Sequence, residues 1–230
     1  MPGAVVLVLF GYLIGALPFA VALALSHGLD PAAEPDVHIA LRRDVGWLAA
    51  AMAVVVDLSK GVFPVLIGFG FSLPAWAVSL GGVAAVVGQM WPPFRGCGEK
   101  GNSTGVGVLI ALLLVYEAYY GLLSLVFFAA GALLRLLMLM SSSAARRSSG
   151  HPVSLALPLA MLLGFIAAPV LSGATGQPEG LTIGLALVAA AVIVRRLTAG
   201  LRDDLDVGAR IWPVLVRRVL FDQSLTARDR

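Results

Sequence analysis

Charge and cysteine are scarce in this chain. Of its 230 residues only 13% are Asp, Glu, Lys or Arg, and there is one cysteine, Cys97. A lone cysteine excludes an intramolecular disulfide. His27, His38 and His151 are scattered, with no partner at metal-ligand spacing, so neither a metal nor another cofactor is expected. No nucleic-acid-binding motif is present, so the formal net charge of +3 does not point to a nucleic-acid partner. Soluble domains carry about a quarter charged residues, so this composition leaves too little polar surface for a water-exposed globule. No Lys or Arg precedes the first apolar block, and no small-residue cleavage site follows it. That block is therefore expected to be a retained helix rather than a signal peptide.

What the chain does have is apolar sequence in long blocks: 59% of its residues are hydrophobic. Blocks at 4–25, 46–68, 74–91, 104–118, 120–140, 152–171 and 181–198 each approach the roughly 20 residues that cross a bilayer. The stretch 104–140 is too long for a single crossing. Glu117, set among Tyr116, Tyr119 and Tyr120, reads as the interfacial turn that divides it. Basic residues alternate between connections. Arg42 and Arg43 lie in the first, Arg95 and Lys100 in the third, Arg146 and Arg147 in the fifth, and Arg195, Arg196 and Arg202 at the end of the last block. The expected fold is therefore all-α and polytopic, with seven transmembrane helices, the N-terminus outside and the C-terminus cytoplasmic. Residues 1–200 form the transmembrane domain. Residues 201–230 form a basic tail, in which 211–221 reads either as an amphipathic helix lying on anionic lipid or as a disordered segment.

Two places concentrate polar chemistry. The connection 88–104 reads GQMWPPFRGCGEKGNST, combining Arg95 and Lys100 with Gly96, Gly98 and Gly101, and ending in Asn102, Ser103 and Thr104 at a helix start. Glycines let backbone N–H groups approach an anion, and a helix N-terminus favours negative charge, so a phosphate group at a membrane surface suits this loop. The other reading is a glycine-rich turn whose basic residues only set topology. The second place is Asp57 and Lys60, three residues apart inside the second block, with Pro64 following. Intramembrane charges of opposite sign form either the wall of a polar cavity or a structural ion pair that locks helices.

Taken in order, these segments resemble the bacterial acyl-phosphate–dependent glycerol-3-phosphate acyltransferases. GYLIGALPF at 11–19 resembles the family's opening helix, and DLSKG at 57–61 with Pro64 matches D-x-x-K-G-x-x-P. GQMWP at 88–92 is similar to G-H-x-x-P, and CGEKGNST stands where the family has a G-G-K-G-V-A-T run. RRLTAG at 195–200 resembles the end of the third motif. The resemblance implies acyl transfer from acyl phosphate to glycerol 3-phosphate, giving lysophosphatidic acid for phospholipid synthesis in the bacterial inner membrane, among membrane lipids. It assigns Lys100 and Arg43 as catalytic cations and Arg95, Gly98, Gly101, Ser103 and Thr104 as phosphate-binding. Asp57 and Lys60 become supports of the cavity.

The chain departs from the family's pattern in all three motifs. Ala33 and Pro35 stand at a serine and an asparagine position of the first motif, and Ile39 and Ala40 replace its Thr-Asn pair. Gln89 replaces a histidine, Glu99 precedes Lys100 in a loop one residue short, and Ala190–Val194 replaces H-R-x-N-I. These losses support a second reading: a non-catalytic relative that binds a lipid phosphate or regulates a partner. Asp57 and Lys60 support a third, a small transporter.

Overall fold

Apolar blocks in this chain become helices, and they break where backbone chemistry forces a break. The computed structural model describes residues 1–31, 36–93, 98–141, 153–206 and 210–222. In chain order the helices are α1 (Pro2–Gly15), α2 (Phe19–Ser26), α3 (Val37–Ala40), α4 (Trp47–Gly70), α5 (Ala75–Met90), α6 (Asn102–Val115), α7 (Leu125–Ser141), α8 (Val153–Ala174), α9 (Glu179–Thr198), α10 (Leu201–Asp206) and α11 (Ile211–Phe221). The first block, expected as one helix, is interrupted at Ala16–Pro18, where Pro18 offers no N–H to continue the ladder. The expected division of 104–140 is present. α6 stops at Val115, Glu117 adopts a left-handed φ of 53°, and a 3₁₀ turn over Tyr119–Ser124 leads into α7.

Among the described residues five segments are long and apolar enough to cross a membrane: Pro2–Ser26, Trp47–Gly70, Tyr119–Leu137, Leu155–Ala174 and Glu179–Thr198. The apolar helices Ala75–Met90 and Asn102–Val115 are shorter. Exposed Val5, Val6, Leu9 and Leu13 on α1, and Leu133, Leu134, Leu136 and Leu137 on α7, form faces suited to lipid rather than water.

α4 shows the inside-out logic of such a bundle. Its buried residues are Ala53, Asp57, Lys60, Gly61, Pro64, Val65 and Gly68, a helical stripe, while Val55, Phe63, Leu66 and Phe69 face outward. The polar and small residues are inside because lipid offers no partner for them. The stripe lets helices approach closely. A Cβ on Gly61 would run into the Thr104 carbonyl oxygen of α6, and one on Gly107 into the Leu58 carbonyl of α4. Gly11 and Gly15 of α1, a small-xxx-small pair, do the same job against the Gly81 and Ala85 carbonyls of α5. α5 also packs on α9, which packs on α8, and α8 packs on α7.

Gly107→Leu therefore forces α4 and α6 apart. Overpacking of this kind costs about 1–3 kcal/mol or more. We expect a lowered thermal-unfolding midpoint in detergent, whereas Gly70→Leu, with open space at its Cβ, leaves the midpoint unchanged.

Candidate functional site: a polar cavity where three helices end

α5 ends, α6 begins and α9 ends around one cavity of about 230 Å³. Its wall carries Asp36, His38, Asp57, Gln89, Glu99, Lys100, Asn102, Arg195, Arg196 and Asp222. α3 and α4 supply the first three of these. Lys100 is held on the loop before α6, where Gly101 takes a left-handed φ of 71° to start the helix. Arg195, one turn from the end of α9, donates to the carbonyls of Glu99 at 3.2 Å and Gly98 at 3.0 Å and lies over the Trp91 ring. The third-motif segment thus fastens the glycine-rich loop of the second. Gln89 reinforces it, accepting the Glu99 N–H on its main-chain carbonyl at 3.0 Å and donating its Nε2 to Glu99 Oε2 at 3.2 Å.

The centre of the wall is a charge network. Asp57 has no exposed surface; it accepts the Lys60 ammonium at 2.7 Å and His38 Nε2 at 3.1 Å. Thr104 is equally buried and donates its hydroxyl to the Asp57 main-chain carbonyl at 2.8 Å, pinning α6 to α4. Asp36 receives the His38 main-chain N–H at 3.1 Å, with His38 Nδ1 3.5 Å from the same carboxylate oxygen. Burial alone would push the His38 pKa down, but hydrogen bonds to Asp36 and Asp57 overcome it and raise it to about 10. The ring is therefore an imidazolium at neutral pH. Burial likewise opposes ionisation of Asp36, yet the His38 hydrogen bond and the Lys100 charge hold its carboxyl at about 2. Burial, and then the Asp57 charge, push Glu99 up to about 7. For Lys100, desolvation is outweighed by the Asp222 and Asp36 charges, which raise its pKa.

His38, Asp57 and Glu99 each bring one ligand atom within 4.8 Å of the others. The Lys60 ammonium on Asp57, and the His38 imidazolium whose two ring N–H groups face Asp57 and Asp36, oppose a cation there, so the group reads as a charge network rather than a metal site. Among the described residues, two acceptors in the wall have no hydrogen-bond partner: Gln89 Oε1 and Asn102 Oδ1, both buried atoms. They are suited to a ligand that brings O–H donors.

The structure brings most of the sequence-expected residues together, with differences. Lys100, Gly98, Gly101 and Ser103 line the cavity, and so does Asp57, with Lys60 behind it. Thr104 is committed to the Asp57 carbonyl and acts on helix packing rather than on the cavity. Arg43 is not brought there. The turn Leu41–Val45 buries Leu41 and leaves Arg43 exposed, where it pairs through two 2.8 Å bonds with its neighbour Asp44. Arg95 and Cys97, with the 142–150 loop and its Arg146 and Arg147, lie outside the described residues. Sequence reasoning passed over His38 as an isolated histidine, and Asp36, Arg195 and Asp222 were not assigned to the site. The one available signal was the pairing of His38 with Asp36 two residues earlier; no spacing links Asp222 to Lys100.

If the cavity takes an anion, Glu99 is expected to make that binding dependent on pH. Below its raised pKa of about 7 it is neutral; above, it places a negative charge beside Lys100. Sulfate keeps its charge from pH 6 to 8, so its affinity for the purified protein is expected to fall by about tenfold over that range. Glu99→Gln is expected to flatten that dependence in a calorimetric titration.

Apolar helices around a polar cavity lined by charges of both signs define a multi-pass membrane protein. The chain belongs to the glycerol-3-phosphate acyltransferase family, whose model matches residues 5–202. It is similar to the glycerol-3-phosphate acyltransferase of Rubrobacter xylanophilus, at 38% identity over 112 residues covering 47% of this chain and 56% of that one. The enzyme of the same name from Azotobacter vinelandii is 40% identical over 116 residues, covering 46% and 59%. The matches thus span little more than half the length of these relatives. The fold is shared with crystal structures of PlsY (YgiH), an integral membrane glycerol 3-phosphate acyltransferase in its lysophosphatidic acid and glycerol 3-phosphate forms. Each aligns with a TM-score of 0.62 and 24% identity over 90% of this chain and 93% of that one.

Proposed function

We propose that this protein transfers an acyl chain from acyl phosphate to the 1-hydroxyl of glycerol 3-phosphate, releasing phosphate and lysophosphatidic acid for phospholipid synthesis. The observation that carries the reading is the composition of the cavity wall. Lys100 and the His38 imidazolium face the same space as two partnerless acceptors, Gln89 Oε1 and Asn102 Oδ1. Cations suit a phosphate and acceptors suit the hydroxyls of a polyol, so a polyol phosphate satisfies both. A volume of about 230 Å³ is below the range of drug-sized pockets and suits a small ester; the acyl tail would lie along the apolar helix faces.

The donor is already activated, so no protein nucleophile is required. The hydroxyl oxygen attacks the acyl carbonyl carbon, a new C–O ester bond forms, and the bond to the phosphate oxygen breaks. The departing phosphate takes the hydroxyl proton. The protein contributes orientation and positive charge. Lys100 contacts phosphate, with Gly98, Gly101 and Ser103 shaping the loop around it. Arg95 is proposed as a second phosphate contact. Asp57 and Lys60 hold α3, α4 and α6 in register, and through them His38. His38 stands in place of the family's missing polar groups in the first motif, since it comes from the same segment.

The proposed membrane arrangement has seven crossings, with the shorter α5 and α6 each crossing once, the N-terminus outside and the cavity on the cytoplasmic side of the bacterial inner membrane. The alternation of basic connections supports it. Acceptor choice tests the reaction. Offered acyl phosphate with glycerol 3-phosphate, glycerol or water alone, the purified protein is expected to acylate only the first. Equal acylation of glycerol would remove the role assigned to the cations.

A further inference from the structure

Resting on the reading of the cavity as an anion pocket, we propose that the C-terminal helix α11 is an intramolecular plug: the carboxylate of Asp222 occupies the phosphate position on Lys100 when no substrate is bound. The contact is direct. Asp222 Oδ2 lies 2.8 Å from Lys100 Nζ, and its side chain is 14% exposed although it stands at the end of the described chain. A carboxylate and a phosphate present the same acceptor oxygens to an ammonium, and two anions crowded onto one ammonium repel each other, so each weakens the other's hold on Lys100.

The placement is built rather than incidental. α11 ends at Asp222, which caps it in the left-handed conformation at φ 52° and ψ 40°, a conformation that Asp tolerates better than most side chains. The helix is clasped to the bundle by Arg218, only 2% exposed, which donates its Nε to Asp204 at 2.8 Å and further bonds to the carbonyls of Ala199 and Gly200. From the other side Arg196 donates to the Val219 carbonyl at 2.9 Å. Arg218, inside the segment 211–221 that reads from sequence as either a lipid-lying helix or a disordered tail, is thus an internal clasp. α11 lies beyond residue 202, where the match to the family model ends. Its outer face carries Trp212, 75% exposed, and Val216, 51% exposed. That face leaves it free to rest on a bilayer surface once the carboxylate is displaced.

Linkage makes this testable without turnover. If Asp222 and phosphate compete, removing the carboxylate tightens phosphate binding, and phosphate binding loosens α11. Inorganic phosphate is titrated calorimetrically into the purified full-length protein, its Asp222→Asn and Asp222→Ala variants, and Asp206→Asn as a control acid outside the cavity. Both Asp222 variants are expected to bind phosphate about tenfold more tightly than the parent, and the control equally. In the unmodified protein, saturating phosphate is expected to speed amide exchange in residues 211–222. Unchanged or weaker phosphate binding in the Asp222 variants, with exchange unaltered by phosphate, overturns the plug and makes Asp222 a positioning residue for Lys100. Absence of phosphate binding in all four proteins overturns the anion-pocket reading and the plug with it. Phosphate binding that responds to Asp222, without acyl transfer, keeps the plug and overturns the enzyme.

Discussion

Lys100→Ala is expected to lower kcat/KM for acyl transfer by about a hundredfold to a thousandfold. Among the described residues Lys100 is the cation of the glycine-rich loop that faces the cavity, and its ammonium is the group that a substrate phosphate would meet in place of Asp222. Removing a charge-assisted donor at a developing anion costs roughly 2.7–4 kcal/mol in well-studied enzymes, which at tenfold per 1.4 kcal/mol gives that range. Lys100→Arg keeps the charge but changes the donor geometry, so a smaller loss is expected. The fold is expected to survive either change. Lys100 is 38% exposed, and its ion pairs with Asp222 and Asp36 are the partly solvated kind that contribute little to stability. Steady-state kinetics beside a thermal-unfolding scan checks both halves: activity falls while the midpoint stays. A variant with parental kcat/KM would remove Lys100 from the reaction.

Asp57→Ala is expected to have the largest effect on stability, about 3–5 kcal/mol, the usual cost of stripping one partner from a buried ion pair. The Lys60 ammonium, 4% exposed, would lose the carboxylate 2.7 Å away, and His38 would lose one of its two anionic partners. For a chain of this length the cost corresponds to a fall of roughly 10 °C in the unfolding midpoint. The double variant Asp57→Ala/Lys60→Met removes both charges and is expected to regain much of it, because the penalty lies in the orphaned ammonium rather than in the absent pair. If the single variant melts with the parent, the pair is not buried as described. If the double variant melts no higher than the single one, the cost lies elsewhere, in the loss of the His38 contact.

These two residues also mark how far the sequence could be read. The helices were legible because hydropathy and helix length are local properties: the break at Glu117 and the paired Asp57 and Lys60 both follow from spacing along one chain segment. The loop at 98–104 was legible for the same reason, its glycines and Lys100 being contiguous. His38 was not, because its partner Asp57 is 19 residues away on another helix and no motif joins them. Asp222 and Lys100 are further apart still, and the clasp of Arg218 on Asp204 depends on how α11 folds back onto the bundle. Arg43 shows the converse error. It keeps the family's position in the sequence, yet the turn Leu41–Val45 points it outward to Asp44. Motif spacing identifies which residue occupies a place; the local backbone decides where its side chain goes.

We propose that the polar groups lost from the first and third motifs are partly offset in space. His38 supplies a cation from the first-motif segment, and Arg195 anchors the loop from the third. Whether these replacements sustain the reaction is decided most directly by following both products at once. Purified protein in detergent is supplied with acyl phosphate and glycerol 3-phosphate, and lysophosphatidic acid and inorganic phosphate are quantified over time. The account predicts that one phosphate is released for each lysophosphatidic acid formed, and that both fall away together in Lys100→Ala. Phosphate release without lysophosphatidic acid, or no turnover beside a fully active relative prepared in the same way, would contradict it.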